Sequence, residues 1–225
     1  MTNELILIIN LIVTYGLVLL CFKFFKKEGL MAWLVIATLI GDIEVIGQID
    51  AFCLHQTLGN VSFASTFLAS NLLSEFYNRK DANKGVYLGL FAGVTFIILS
   101  RFWLFFHPNA TDFAFPALTA IANGTFRVIV AGLTNFVLVQ KINIWLYHLL
   151  WEKMGQSSDK NLWIRNNVST IISQAINSAS FCTMAFYGTL PMDVLQDIMF
   201  TNFAILFFTS LMSTPYIYLA KKICK

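Results

Sequence analysis

The sequence is short of charge. Asp, Glu, Lys and Arg together make 12% of its 225 residues, against the roughly 25% usual in soluble domains. So few ionic side chains cannot cover a water-facing surface. Cysteine is sparse too: Cys21, Cys53, Cys182 and Cys224 stand far apart with no CxxC pair and no Cys/His cluster, which argues against a zinc site or a disulfide framework. The histidines, His55, His107 and His148, fall in or near expected loops. They belong to no HExxH pattern, and GxSxG is also missing, so no metal-bound or nucleophilic catalyst is prepared and the chain is not expected to be an enzyme. The P-loop Lys-Ser/Thr pair is absent, which excludes ATP hydrolysis by this chain alone. Neither a cofactor nor a metal is expected. Residues Met1 to Leu20 lack a basic leading region and a small-residue cleavage site, so they read as a retained span and not a signal peptide.

What the chain has is apolar length. It is 57% hydrophobic and 15% aromatic, with 22 Phe. A spanning helix needs roughly 20 mostly apolar residues, and seven are expected, near 4–22, 30–48, 60–78, 85–106, 115–142, 163–188 and 194–219. The expected fold is therefore all-α: a polytopic membrane helix bundle of about seven spans, a six-helix core plus an N-terminal helix, forming one transmembrane domain over residues 1–225. Most Lys and Arg gather in four short segments, Lys23 to Lys27, Arg79 to Lys84, Lys153 to Arg165, and Lys221 to Lys225, whereas the loops around Asp50, Asp112 and Asp193 to Asp197 hold acids and no Lys or Arg. Basic loops stay cytoplasmic, so the N-terminus is expected outside and the C-terminus inside. The net charge of +3 then reports topology and contact with the lipid bilayer, not a nucleic-acid partner. The stretch from Ile144 to Met154 is amphipathic; it either extends the fifth helix or lies in the interface. Pro108, Pro116 and Pro191 fall at expected helix ends, while Pro215 falls inside the seventh span and predicts a kink. Gly85, Gly89 and Gly93, four apart, share one face of the fourth span and allow close helix approach, within the chain or in a homodimer.

Polar groups inside spans are costly and mark sites or pathways. Span two holds Asp42 and Glu44, which either face an outer vestibule or are structural. Span three holds Asn71 and Glu75, span five Asn123 and Arg127 with Gln140, Lys141 and Asn143 at its inner end, and span six Gln174 and Asn177. Each has a plain reading. Asn71, Asn123, Asn135 and Asn177 can serve as interhelical glue, Glu75 can pair with Arg79, and Lys141 can anchor at the interface. Arg127, placed near mid-span, is too deep to snorkel and needs acceptors. Taken together, amides at helical spacing beside one carboxylate and one guanidinium suit a small, flat, polar molecule, with aromatic rings to stack on it. The expected substrate-binding residues are Asn71, Glu75, Asn123, Arg127, Gln140, Gln174 and Asn177.

Three runs carry a family resemblance: TLGNVSFASTFLASNLLSEFYNRKDANKGV (Thr57 to Val86), FRVIVAGLTNFVLVQKIN (Phe126 to Asn143) and LWIRNNVSTIISQAINSASFCTMAFYG (Leu162 to Gly188). In order and spacing they resemble the queuosine precursor transporter family, also called the vitamin uptake transporter family. Glu75, Arg127, Gln140 and Gln174 match its pattern. Asn71, Asn143 and Asn177 stand where the family usually has Asp, and Asn78 where it usually has Gly. These changes keep shape and remove charge, so a proton-carrying role at those positions is not implied for this chain. The resemblance implies a transporter in the bacterial cytoplasmic membrane that imports a 7-deazaguanine base for the queuosine of tRNA: 7-cyano-7-deazaguanine, 7-aminomethyl-7-deazaguanine or queuine. Within that reading, Glu75 accepts the paired N–H donors of the base, and Arg127 donates to it or pairs with Glu75. The alternatives are a substrate-capture subunit needing a separate ATPase as energising partner and, in another class, an integral membrane enzyme.

Overall fold

A computed structural model describes residues 2–52, 54–123, 126–154, 161–188 and 191–224; Met1, Cys53 and Lys225 lie outside the described residues. The chain folds as an all-α bundle. Its elements in order are α1 (Asn3–Glu44), β1 (Gln48–Ala51), β2 (Leu54–Thr57), α2 (Asn60–Phe76), α3 (Arg79–Trp103), α4 (Phe115–Asn123), α5 (Phe126–Lys153), α6 (Leu162–Phe186) and α7 (Met192–Cys224). Among them α1, α3, α5 and α7 are long and apolar enough to cross a membrane. Their outward faces carry exposed large apolar side chains, such as Ile12 and Leu20 on α1, Phe91 and Ile98 on α3, and Phe200 and Phe208 on α7. Apolar surface on this scale belongs against lipid.

The first two expected spans are the two arms of α1, which break at Lys26 (φ 51°, ψ −125°). The reversal is sharp: a Cβ placed on Gly29 would stand 2.2 Å from the carbonyl oxygen of Cys21, whereas eight residues of unbroken helix would separate the two by about 12 Å. The C-terminal arm then packs on α3 along the glycine face. Gly85 lies against Leu34, Gly89 against Thr38, and Gly93 against Asp42, so two rows of i, i+4 positions run in parallel register. The glycines serve an internal contact.

Helices α2 and α6 are the inner helices, which explains their lower hydropathy. Nearly every α2 residue from Val61 to Ser74 is buried, and α6 buries Asn166, Asn167, Thr170, Gln174 and Asn177 on faces turned to α5 and α7. Neighbouring helices surround them, so they need little lipid-facing surface.

Of the fifth expected span, residues 115–123 are helical as α4 and α5 is described from Phe126 through Lys153, the two residues between them lying outside the described ones. The amphipathic stretch from Ile144 is thus an extension of α5. α7 remains helical through Pro215. Between α1 and α2 the chain forms an antiparallel hairpin, with Ile49 opposite Gln56 and Asp50 opposite His55. The turn residue Phe52 has φ 55°. Asn3 Nδ2 donates to Asp50 O (2.8 Å) and Phe52 N donates to Glu4 Oε1 (3.2 Å), docking the hairpin on the start of α1. The bundle so has a hairpin end and a basic end, the latter holding Lys26, Arg79, Lys153, Arg165 and Lys221.

Candidate functional site

The inner faces of α2, α5 and α6 carry polar side chains at i, i+3 and i+4 spacing, which sets them in layers along the bundle. At the basic end the Glu75 carboxylate, 5% exposed, meets Arg165 Nη2 at 3.0 Å and Lys221 Nζ at 2.8 Å. The Tyr147 hydroxyl donates to its Oε2 at 2.6 Å. The Arg165 guanidinium, 2% exposed, lies 4.6 Å from the Trp151 ring centroid. This cluster ties α2, α5, α6 and α7 together. A buried carboxylate with three charge-assisted partners is stable where an unpaired one would not be.

One turn deeper lies a closed amide layer. Asn71 Nδ2 donates to Asn166 Oδ1 (2.8 Å) and Thr170 Oγ1 (3.0 Å). Asn143 Nδ2 donates to Asn71 Oδ1 (2.7 Å), and Asn166 Nδ2 donates to Ser213 Oγ (2.8 Å). Asn71, Asn143 and Asn166 are fully buried. Both Nδ2 protons of Asn71 are used, so the layer depends on its being an amide and not a carboxylate.

The next layer is less well satisfied. Gln140 Nε2 donates to Thr66 Oγ1 at 2.6 Å, but its Oε1 has no partner among the described residues. Both amide atoms of Gln174 are buried and unpartnered among the described residues.

Beyond it, at the hairpin end, a cavity of about 490 Å³ opens between α1, α2, α5 and α6, a size usual for small-molecule sites. Phe63, Phe136, Phe181 and Phe186 give it aromatic walls, and Thr66 belongs to its lining. Its polar lining includes Asp42, Gln56, Asn123, Asn135 and Asn177. Asn135 donates to Asn177 Oδ1 and accepts from Ser180, so that pair is already oriented. Gln56, only 7% exposed, has no partner for either amide atom, and neither has Asp42 Oδ2, among the described residues. Both residues line the cavity, and a buried polar atom left without a partner is costly until something pairs with it.

The expected site residues are therefore distributed. Asn123 and Asn177 line the cavity; Gln140 and Gln174 lie in the layer next to it; Asn71 is in the closed amide layer; Glu75 is in the ion cluster. Arg127, expected near mid-span, lies level with the C-terminal end of α6. It is exposed and donates from Nε to Met184 O (2.8 Å) and from Nη2 to Tyr187 O (2.6 Å), capping the end of α6. Twenty residues of α5 separate Arg127 from Tyr147, about 30 Å of helix, so the pairing of Arg127 with Glu75 is replaced by Arg165, Lys221 and Tyr147. Nor is Arg79 a partner of Glu75 among the described residues. Lys141 is exposed and lies over the Tyr87 ring at 4.9 Å. Asn78 caps α3, accepting from Asp81 N at 2.8 Å. Sequence reasoning passed over Gln56, which lies outside every expected span, and Arg165 and Tyr147, whose charges and hydroxyls look like loop residues until the helices are placed. No cluster of three His, Cys, Asp or Glu side chains suited to a metal occurs among the described residues.

Known proteins resemble this chain along most of its length. The family described as "Putative vitamin uptake transporter" matches residues 57–220. A "Probable queuosine precursor transporter" of Bacillus subtilis (strain 168) is 35% identical over 211 residues, 94% of this chain and 91% of that protein. A protein of the same description from Haemophilus influenzae (strain ATCC 51907 / DSM 11121 / KW20 / Rd) is 22% identical over 147 residues, 64% of this chain and 58% of its own length. No solved structure matches.

Proposed function

This chain belongs to the vitamin uptake transporter family, and we propose that it carries a queuosine precursor, a 7-deazaguanine base, into the bacterial cytoplasm through the cavity at the hairpin end. The observation that carries the reading is the lining of that cavity. Phenylalanine faces suit a flat heterocycle, and the amides of Gln56, Asn123, Asn135 and Asn177 offer both donors and acceptors. A guanine-like edge presents one carbonyl acceptor beside two N–H donors, a mixed pattern that amides can match by themselves. Gln140 and Gln174, with spare polar atoms one layer deeper, suit the next position of the base as it moves along the bundle. The amide layer and the Glu75 cluster close the path toward the basic end, so passage requires α2, α5, α6 and α7 to shift against one another. With basic loops inside, the hairpin end faces outward, the C-terminus is cytoplasmic, and this conformation accepts the base from outside.

The test is complementation of a bacterial strain that neither makes nor imports queuosine precursors but keeps the enzymes that use them. Cells expressing the chain are fed each candidate base, and queuosine in tRNA is scored on an affinity gel. Restoration with at least one base is expected, and Asn177→Leu should abolish it while leaving the membrane level of the protein unchanged. Restoration with none of the bases, despite verified membrane insertion, would sink the reading.

A further inference from the structure

Asp42 is the only charged side chain among the described residues that line the cavity. It comes from the C-terminal arm of α1, and its Oδ2 lies on the backbone of α3, where a Cβ at Gly93 would approach it to 3.1 Å. No cation is paired with it among the described residues, and Oδ2 is buried without a hydrogen-bond partner. Its acidic neighbour is otherwise engaged: Glu44 Oε2 accepts from Ser62 Oγ at 2.5 Å. The cation closest in sequence to the lining, Arg127, donates from Nε and Nη2 to the carbonyls of Met184 and Tyr187.

A desolvated carboxylate without a counter-ion is unfavourable, and a ligand that brings a positive charge relieves it. The amides lining the same cavity can answer every neutral donor and acceptor of a base edge. Charge is the one property they cannot supply. We infer that Asp42 makes this cavity selective for a planar base bearing a protonated amine over its neutral isosteres, an inference that rests on the deazaguanine reading above. An aliphatic amine is protonated at neutral pH, as a lysine side chain is. The aminomethyl base and queuine both carry such an amine next to the ring, whereas the cyano base is neutral there. Gln56, buried with both amide atoms free, then reads the ring edge, and the Phe faces hold the plane.

The experiment is competition for uptake of labelled aminomethyl base by cells expressing the chain. Unlabelled aminomethyl base should compete at roughly tenfold lower concentration than the cyano base, the scale of one charge pair in a partly desolvated site. Asp42→Asn should remove that difference by weakening the aminomethyl base alone, and Asp42→Glu should retain it. Equal competition by the two bases in the unmodified protein would overturn the inference, and that comparison does not depend on any variant folding. So would Asp42→Asn weakening both bases alike, which would mean that the carboxylate reads the ring edge they share. Uptake of the cyano base alone would overturn the inference and leave the transport reading standing. Uptake of neither base, nor of queuine, would remove both.

Discussion

At the scale of single residues, two groups of nearly equal conspicuousness have different work. Glu75 is saturated by Arg165, Lys221 and Tyr147, so its first duty is to hold four helices together. Losing one partner of a buried ion pair costs roughly 3–5 kcal/mol; glutamine keeps an acceptor, so Glu75→Gln should fall at the lower end. We expect a lowered thermal midpoint in detergent with an unchanged apparent KM for the base. A shifted KM at unchanged thermal midpoint would return Glu75 to the substrate. Asn71 is the second case. Its two donors serve Asn166 and Thr170, and Asn71→Asp would turn a carboxylate oxygen toward the Asn166 carbonyl while burying a charge. Unmade buried hydrogen bonds cost about 1–3 kcal/mol each, so this variant should lose stability. Asn71→Asp with full thermal stability would mean that the amide layer rearranges freely.

At the scale of elements, the glycines separate three kinds of contact. A Cβ on Gly29 would stand 2.2 Å from the Cys21 carbonyl oxygen, a backbone atom that cannot yield, whereas one on Gly89 would stand 2.9 Å from the Thr38 hydroxyl and 3.2 Å from the Phe136 ring. Gly16 has nothing within 4 Å. Thermal unfolding of the Ala variants should therefore rank Gly29→Ala as most damaging, Gly89→Ala next, and Gly16→Ala neutral or slightly stabilising, since alanine favours helix by about 1 kcal/mol over glycine. A Gly29→Ala protein as stable as the parent would contradict the tight reversal of α1. The same helices show why spans one and two were legible as separate. The basic cluster Lys23 to Lys27 interrupts the apolar run, and the break falls within it, at Lys26.

At the scale of the whole molecule, the bundle is polar along its centre and apolar around its rim, the reverse of a water-soluble fold. The cavity lies at one end and the salt-bridged closure at the other, an arrangement suited to alternating access. The orientation expected from the loop charges is measurable by cysteine labelling in a background with native cysteines replaced. Phe113→Cys, at an exposed position in the loop before α4, should react with a membrane-impermeant maleimide on intact cells. Lys80→Cys, at the basic end, should react only after the cells are permeabilised. The opposite pattern would invert the topology and place the cavity mouth inside.

The sequence by itself determined the helical membrane class, the approximate spans and several of the buried polar residues, such as Asn71, Gln140, Gln174 and Asn177, because lipid permits only self-satisfied backbone and makes interior polar groups conspicuous. It also pointed to Asp42 as a group facing a vestibule, though with a structural role equally open. What it could not assign was partnership. Glu75 had Arg79 four residues away and Arg127 in a neighbouring span, yet it pairs with Arg165 and Lys221, separated from it by most of the remaining chain. Arg127, expected near mid-span, instead meets the Met184 and Tyr187 carbonyls at the end of α6, a partnership that only the placement of α5 against α6 decides. Gln56 was hidden in a loop that becomes a hairpin only when docked on Asn3 and Glu4. Helical periodicity reports which face is polar, but the rotation and depth of one helix against another set which side chains meet, and those are settled by tertiary packing of α1 on α3 and of α5 on α6.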